Sequence, residues 1–253
     1  MLLRDSRSQS SANRQFLADS ERLWNSHKCS LNEKLESFPK YVSREALTKF
    51  LARASIFQAQ LDIQGSVVEL GVARGASLFT WAQLSSIFEP ANYTREVIGF
   101  DTFSGIPFVS IEDLRSEGVS DEVRVGGFAV ADDMRSNLEA AASLHDSTRF
   151  LGHIPKIRLI NGAIESTVPA FLEQNPQLVI SLLHIDVDIF SATKVALELL
   201  LPRVPKGGIV IFDELNDRRF PGETIAVHQV LGIRSLRLNR IPSCPTLCYW
   251  FRD

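Results

Sequence analysis

The stretch that decides the fold reads Val67-Val68-Glu69-Leu70-Gly71-Val72-Ala73-Arg74-Gly75-Ala76-Ser77. An apolar run ends here in an acid, and a turn with two glycines leads into a helical segment, a pattern typical of a strand followed by a helix. The stretch has neither the Gly-x-Gly-x-x-Gly of a dinucleotide site nor the Gly-Lys-Ser/Thr of a phosphate-binding loop. It therefore indicates either a ligand-binding turn without a pyrophosphate cradle or a simple tight turn between a strand and a helix.

The same alternation continues along the chain. Short apolar runs predict strands at 66–70, 95–100, 157–161, 179–186, 208–213, about 233–239 and 246–251. Helical segments fit between and after them at 75–88, 132–145, 166–174, 191–201 and 223–231. Alternation of this kind predicts βαβ units and a parallel sheet buried on both faces. We therefore predict one doubly wound α/β domain over 61–253.

Two regions fall outside this alternation. Residues 1–60 carry ten basic and six acidic side chains and predict an arm with one or two helices, the second capped by Ser43. This N-terminal extension is a candidate for lid or homodimer contacts. Residues 102–130 are rich in glycine and acids but show no period, and loops of this length are usually lids or binding loops, or else disordered.

Composition excludes several classes of partner. The 253 residues carry a formal net charge of −3, too little of either sign to indicate nucleic acid. The longest apolar stretches are far shorter than the roughly 18 residues that span a membrane, and the N-terminus lacks the pattern of a secretory signal. We expect a cytoplasmic protein whose three cysteines are reduced structural thiols.

An acid also ends the second predicted strand, in Val97-Ile98-Gly99-Phe100-Asp101-Thr102-Phe103. An acid at this point can accept hydrogen bonds from both hydroxyls of a ribose, although Asp101 could equally cap the next turn. Together with the turn at Gly71 and Gly75, it describes a nucleoside pocket without a phosphate site.

Two further acid clusters end neighbouring strands: Leu183-His184-Ile185-Asp186-Val187-Asp188 and Ile209-Val210-Ile211-Phe212-Asp213-Glu214. Three carboxylates at one sheet edge repel one another unless protons or a cation intervene, and oxygen ligands favour Mg²⁺. The alternative is helix capping, which suits Asp188 best. We expect His184 to be a core histidine with both ring nitrogens satisfied, and His145 to be a candidate for the substrate side.

These motifs resemble, in order and spacing over about residues 60–230, the macrocin O-methyltransferase family of class I S-adenosylmethionine-dependent enzymes. The resemblance extends through Ser104-Gly105-Ile106-Pro107, Ile189-Phe190-Ser191-Ala192-Thr193-Lys194 and Gly207-Gly208. It implies a mostly parallel, seven-stranded Rossmann-like sheet. It also implies S-adenosylmethionine held by the first two motifs, and Mg²⁺ held by Asp186, Asp213 and Glu214. The cofactor contacts that follow are Glu69, Gly71, Gly75, Ser77, Asp101 and Thr102, with Gly162 and Ala163 beside the adenine.

Known members of this family methylate sugar hydroxyls on secondary metabolites such as macrolides and aminocoumarins. The sequence departs from the family at Asp213-Glu214-Leu215, where Asp-Asp-Tyr is common, so the third ligand is one methylene longer.

We therefore predict an Mg²⁺-dependent O-methyltransferase that acts on one hydroxyl of a vicinal diol in a small-molecule acceptor, with Asp186 accepting the proton. Two alternatives remain open at this point. One is a metal-dependent glycosyltransferase that uses the Asp-x-Asp at 186–188, and the other is a non-catalytic methyltransferase-like binding module.

Overall fold

The computed structural model describes residues 11–253, without the side chains of residues 12–14. The chain divides into two compact units, one ending at Ala52 and the other spanning Arg53–Asp253. The first unit contains α1 (Ser11–Ser26), α2 (Leu31–Glu36) and most of α3 (Arg44–Gln58). The Ser43 hydroxyl oxygen accepts a hydrogen bond from the backbone N–H of Ala46 at 3.1 Å, so the predicted cap of this helix is confirmed.

The second unit is built on one sheet, to which the described residues contribute seven strands. They are β1 (Ser66–Leu70), β2 (Val97–Asp101), β3 (Ile157–Asn161), β4 (Ile180–Ile185), β5 (Ile209–Phe212), β6 (Asn239–Ile241) and β7 (Cys244–Phe251). Their order is β3-β2-β1-β4-β5-β7-β6; β1 to β5 are parallel, and β7 is antiparallel to both of its neighbours, β5 and β6. The predicted fold class, a mostly parallel seven-stranded doubly wound sheet, is confirmed.

Helices connect the parallel strands and cover the sheet. They are α4 (Ala76–Phe88), α5 (Met134–Ser147), α6 (Ile164–Gln174), α7 (Phe190–Val195) and α8 (Pro221–Val230). Every residue of β1, β4 and β5 is buried, as expected of central strands covered on both faces. Because β1 lies between β2 and β4, the strand order reverses there, and in open α/β sheets ligands bind in the crevice at the carboxyl ends of such strands.

The N-terminal region has three α-helices among its described residues where one or two were predicted, and two predicted elements of the sheet unit also differ from the structure. Residues 233–239 were expected to form a strand, but Ile233–Ser235 is a 3₁₀ turn and β6 begins only at Asn239. The apolar pattern there reflects burial of Leu236 and Leu238 against the core by irregular backbone. The predicted helix at 191–201 is split into α7, a π-helical turn and a 3₁₀ turn that contains Pro202.

No helix within residues 11–253 combines the length and the apolar character that crossing a bilayer requires.

Candidate active site

The turn after β1 brings the backbone of two strands into close approach. Gly71 has φ +89°, and a Cβ at this position would lie 1.7 Å from the carbonyl oxygen of Asp186 at the end of β4. The Asp186 N–H in turn donates to the Leu70 carbonyl at 2.9 Å. A side chain at position 71 would therefore push apart the ends of β1 and β4, so glycine is required for the crevice to keep its shape.

Asp101 ties the end of β2 to this turn. Its Oδ2 accepts a hydrogen bond from the Ala73 N–H at 2.7 Å, and its Oδ1 accepts one from the Phe103 N–H at 2.6 Å. Asp101 therefore caps the following turn, and it is half-buried at the carboxyl edge of the sheet. Its binding of a ribose stays a prediction. Thr102 is engaged locally, since its hydroxyl donates to the Gly105 carbonyl at 2.6 Å.

Glu69 and Ser77 face each other inside the protein. Glu69 is fully buried, with Oε1 accepting from the Ser77 hydroxyl at 2.9 Å and Oε2 accepting from the Trp81 indole N–H at 2.9 Å. The His184 Nδ1 lies 3.3 Å from the same Oε2. These contacts hold the first turns of α4 against β1, so Glu69 and Ser77 support the glycine turn from behind.

Gly162 and Ala163 follow β3, next to Asp101 in the sheet. Asp101 pairs in register with Asn161, and the Gly162 N–H donates to the Asp101 carbonyl at 3.0 Å. Ala163 is the N-cap of α6. The structure thus brings these two small residues to the same edge as Asp101.

On the other side of the crevice, Asp186 and Asp213 come together. They follow β4 and β5, which pair with Ile185 opposite Phe212. One ligand atom each from Asp186, Asp213 and His184 all lie within 4.8 Å of one another. Two of the three predicted metal ligands are therefore adjacent, and a histidine nitrogen joins them.

Glu214, the third predicted ligand, is 5% exposed and lies outside the group of three residues whose ligand atoms are within 4.8 Å of one another, although Asp213 and Asp186 act electrostatically on its carboxylate. A further acid, Glu223 at the start of α8, is fully buried, and its Oε1 accepts a hydrogen bond from the Glu214 N–H at 3.1 Å. The sequence analysis missed Glu223. The signal available was its position in the first turn of the helix after β5, at the same edge of the sheet as the other acids.

The cluster is electrostatically strained. Burial, reinforced by Asp213, raises the pKa of Asp186 to about 8. Burial together with Asp188 and Asp213 raises the pKa of Glu214 to about 11, and burial and Asp213 raise the pKa of Glu223 well above its ordinary value. Within the described part of the chain, Asp213 Oδ1, Glu214 Oε2 and Glu223 Oε2 are buried without a hydrogen-bond partner. Oxygens in this state require protons or a cation, and the donor set fits a divalent cation.

Three earlier expectations are corrected here. His184 is buried as predicted, but only its Nδ1 is satisfied, because Nε2 has no hydrogen-bond partner among residues 11–253. Asp188 does not cap α7, whose N-cap is Ile189 and whose Phe190 N–H donates to Asp113 at 2.6 Å. His145 lies buried on α5 with its Nε2 3.2 Å from the Ser86 hydroxyl of α4, so it packs between helices rather than facing a substrate.

The 102–130 segment is anchored beside the acids. Asp113 is fully buried in a 3₁₀ turn, and besides Phe190 its carboxylate accepts the N–H and hydroxyl of Ser110, both at 2.7 Å. The Ser120 N–H donates to the Arg219 carbonyl at 3.1 Å. The segment is thus attached to the stretches that follow β4 and β5.

Solved structures with the same fold identify relatives of this chain. In its own crystal structure CalS11, a calicheamicin methyltransferase, is 32% identical with a TM-score of 0.92, covering 99% of this chain and 96% of that chain. An apo structure of CalS11, described as a TDP-rhamnose 3'-O-methyltransferase, is 29% identical with a TM-score of 0.83. The match covers 98% of this chain and 99% of that chain.

A curated relative from Streptomyces olivaceus is 8-demethyl-8-(2,3-dimethoxy-alpha-L-rhamnosyl)-tetracenomycin-C 4'-O-methyltransferase. It is 33% identical over 158 residues, which are 60% of this chain and 53% of the relative, so the match spans about half the relative's length. Residues 42–230 match the family profile described as macrocin-O-methyltransferase (TylF). Since this match covers well over half of the chain, the protein belongs to the macrocin O-methyltransferase family.

Proposed function

We propose that this chain is an S-adenosylmethionine-dependent O-methyltransferase that methylates a sugar hydroxyl in natural-product biosynthesis. The observation that carries the proposal is that ligand atoms of Asp186, Asp213 and His184 lie within 4.8 Å of one another, while the backbone of Asp186 lies against the Gly71 turn that Asp101 holds. The names of the relatives, two of which refer to rhamnose, support the sugar acceptor. The family match favours methyl transfer over the glycosyl transfer that the Asp-x-Asp at 186–188 left open.

The cofactor side is formed by the ends of β1, β2 and β3. Asp101 has an accepting carboxylate fixed by two backbone donors, which suits the two hydroxyls of a ribose. Gly71 and Gly75 let the backbone approach the methionine end, and Gly162 and Ala163 leave room for a flat base. When bound, S-adenosylmethionine supplies an electrophilic methyl group.

The acceptor side is formed by the acids after β4 and β5. Asp186, Asp213 and Glu214 would hold a divalent cation such as Mg²⁺, which supplies Lewis acidity that lowers the pKa of a bound hydroxyl. A hydroxyl with an oxygen on the neighbouring carbon offers two donors at once, so a vicinal diol suits this site.

Asp186 is proposed as the base. It follows β4 directly at the carboxyl edge of the sheet, its backbone lies against the Gly71 turn, and it is the one of the three residues that is partly exposed. We further propose that residues 102–130 act as a lid and that residues 1–60 provide lid or homodimer contacts.

The test uses the full chain with S-adenosylmethionine and TDP-rhamnose, with excess Mg²⁺ or excess chelator. Mass spectrometry should detect a methylated sugar and S-adenosylhomocysteine in the first sample and neither in the second. Full activity in chelator would contradict the cation. Cofactor binding without turnover on any vicinal diol would instead support a binding module and overturn the proposal.

A further inference from the structure

His184 is a buried histidine for which the proposed mechanism has no use. It lies in the middle of the sheet on β4, fully buried, and its ring packs edge-on against Trp81 with the ring centroids 5.8 Å apart. A buried imidazole nitrogen without a partner is costly, and the Nε2 of His184 is such an atom within the described chain. The buried Nε2 of His184 therefore needs an explanation.

The geometry points to His184 as a nitrogen ligand of the cation site, which would make that site selective for a transition-metal dication such as Mn²⁺ over Mg²⁺. This inference rests on the proposed function only in using the same acids. Alternation along β4 puts His184 and Asp186 on one face of the sheet. Because His184 pairs with Ile211 on β5, Asp213 lies two residues further along the neighbouring strand, as Asp186 does on β4. The result is the set of three donors within 4.8 Å.

Glu69 fixes which ring nitrogen is available. Its Oε2 already accepts from the Trp81 indole and lies 3.3 Å from the His184 Nδ1. Because a carboxylate only accepts, the proton of a neutral imidazole is held on Nδ1, and Nε2 keeps its lone pair. Metal-binding histidines commonly donate their other N–H to a carboxylate in this way. Glu69, which the sequence analysis placed on the cofactor side, thus also orients a ligand of the cation site across the sheet.

The donor set determines the class of metal. Oxygen ligands alone suit Mg²⁺, whereas imidazole nitrogen suits first-row transition metals, which bind mixed nitrogen and oxygen sites more tightly. With His184, Asp186 and Asp213 as donors, we expect Mn²⁺ to bind at least about tenfold tighter than Mg²⁺, on the scale by which single ligands and their supports change affinity.

Two variants separate the ring nitrogens. His184→Asn keeps an amide near the position of Nδ1, where it can still bond Glu69, but removes Nε2. His184→Gln reaches the position of Nε2 with an amide oxygen, which can serve Mg²⁺ but supplies no imidazole. We expect His184→Asn to weaken Mn²⁺ binding by about tenfold or more, and both variants to lose the preference for Mn²⁺.

The measurement is titration of the full chain with MnCl₂ and MgCl₂ by calorimetry, together with electron–nuclear double resonance of bound Mn²⁺. A ¹⁴N coupling in the unaltered protein that disappears in His184→Asn is the expected result. Bound Mn²⁺ without nitrogen coupling, or an unchanged ratio of Mn²⁺ to Mg²⁺ affinity in both variants, would overturn the inference. If a variant fails to fold, the presence or absence of ¹⁴N coupling to Mn²⁺ in the unaltered protein still tests whether His184 is a ligand.

Failure here can be told apart from failure of the proposed function. Methyl transfer with Mg²⁺ but no nitrogen coupling to Mn²⁺ would overturn the role of His184 and leave the activity standing. Nitrogen-coupled Mn²⁺ in a protein that does not bind S-adenosylhomocysteine would support the ligand set and contradict the methyltransferase.

Discussion

The acids at the carboxyl edge of the sheet form two groups that differ in how their oxygens are satisfied. On the proposed cofactor side, Asp101 accepts hydrogen bonds from two backbone N–H groups, and Glu69 accepts them from Ser77 and Trp81. On the acceptor side, Asp213, Glu214 and Glu223 each keep one buried oxygen to which none of the described residues donates. The two groups lie at the same edge of one sheet.

The difference separates two uses of a carboxylate. A carboxylate whose oxygens are bonded to its own fold fixes the shape of a crevice before any ligand arrives. Carboxylates that are buried together without donors make the ligand-free state unfavourable, and a cation that relieves the repulsion gains affinity from it. We therefore regard the cofactor side as built in advance and the acceptor side as dependent on what it binds.

The largest effect is expected from Asp186→Ala. Loss of the proposed base should lower kcat by about 10²–10⁴-fold. Binding of S-adenosylhomocysteine should stay unchanged, because the cofactor side does not depend on this side chain. Steady-state kinetics and calorimetry measure the two quantities, and Asp132→Ala, a change at an exposed acid, is the control. Equal losses of cofactor binding and turnover would show that the two groups of acids are not separate.

Asp101→Asn tests the cofactor side. An amide cannot accept at both positions, so one of the two backbone N–H groups of Ala73 and Phe103 loses its partner. We expect S-adenosylhomocysteine to bind more weakly by about 1.5–3 kcal/mol, the range for hydrogen bonds to charged groups. Calorimetry on Asp213→Asn is the matched comparison, and it should show affinity like that of the unaltered protein. A larger loss in Asp213→Asn than in Asp101→Asn would reverse the assignment of the two sides.

The sequence allowed the crevice to be predicted because its parts are local. The strand, acid and glycine turn of Val67–Ser77 are contiguous, and each parallel strand that ends in an acid must bring that acid to one edge. Strand periodicity therefore placed Asp101, Asp186 and Asp213 without knowledge of any contact between them.

The contacts that refine the site are not local. Asp113 reaches Phe190 across 77 positions, and Glu69 reaches His184 across 115. Periodicity could show that His184 shares a face with Asp186, but not that a glutamate from another strand would satisfy only one of its nitrogens. For the same reason His145 was misjudged, because its partner Ser86 lies on a different helix.

Glu223→Gln tests the strain on the acceptor side in the absence of metal. The amide keeps an oxygen for the Glu214 N–H and replaces an unsatisfied oxygen with a donor that faces other acids. We expect the free energy of unfolding in chelator to rise by about 1–3 kcal/mol, and Tm by about 2–4 °C for each kcal/mol. Thermal unfolding with Glu223→Gln and the exposed-site control Glu117→Gln measures it. A fall in Tm would mean that Glu223 stabilises the metal-free protein.

The smallest expected effect concerns His145, a buried base. Its pKa is shifted in the opposite direction to the pKa values of the buried acids. Burial lowers the pKa of His145 below its ordinary 6.5. At a pH between the lowered pKa of the folded chain and the ordinary pKa of 6.5, the unfolded chain binds a proton on this histidine and the folded chain does not. The stability that neutral His145 contributes is therefore present above pH 6.5 and is lost on acidification. His145→Gln should flatten the fall in Tm below pH 6.5 by about 1–2 °C, as followed by circular dichroism in chelator.

The same burial acts on the acids in the opposite direction. Because the pKa of Asp186 is raised to about 8, the folded chain holds a proton that the unfolded chain has lost, and the associated stability declines as the pH rises toward 8. His145→Gln should therefore change the acidic limb of the profile and leave the alkaline limb as it is. A variant that altered both limbs would show that His145 and the acid cluster are coupled.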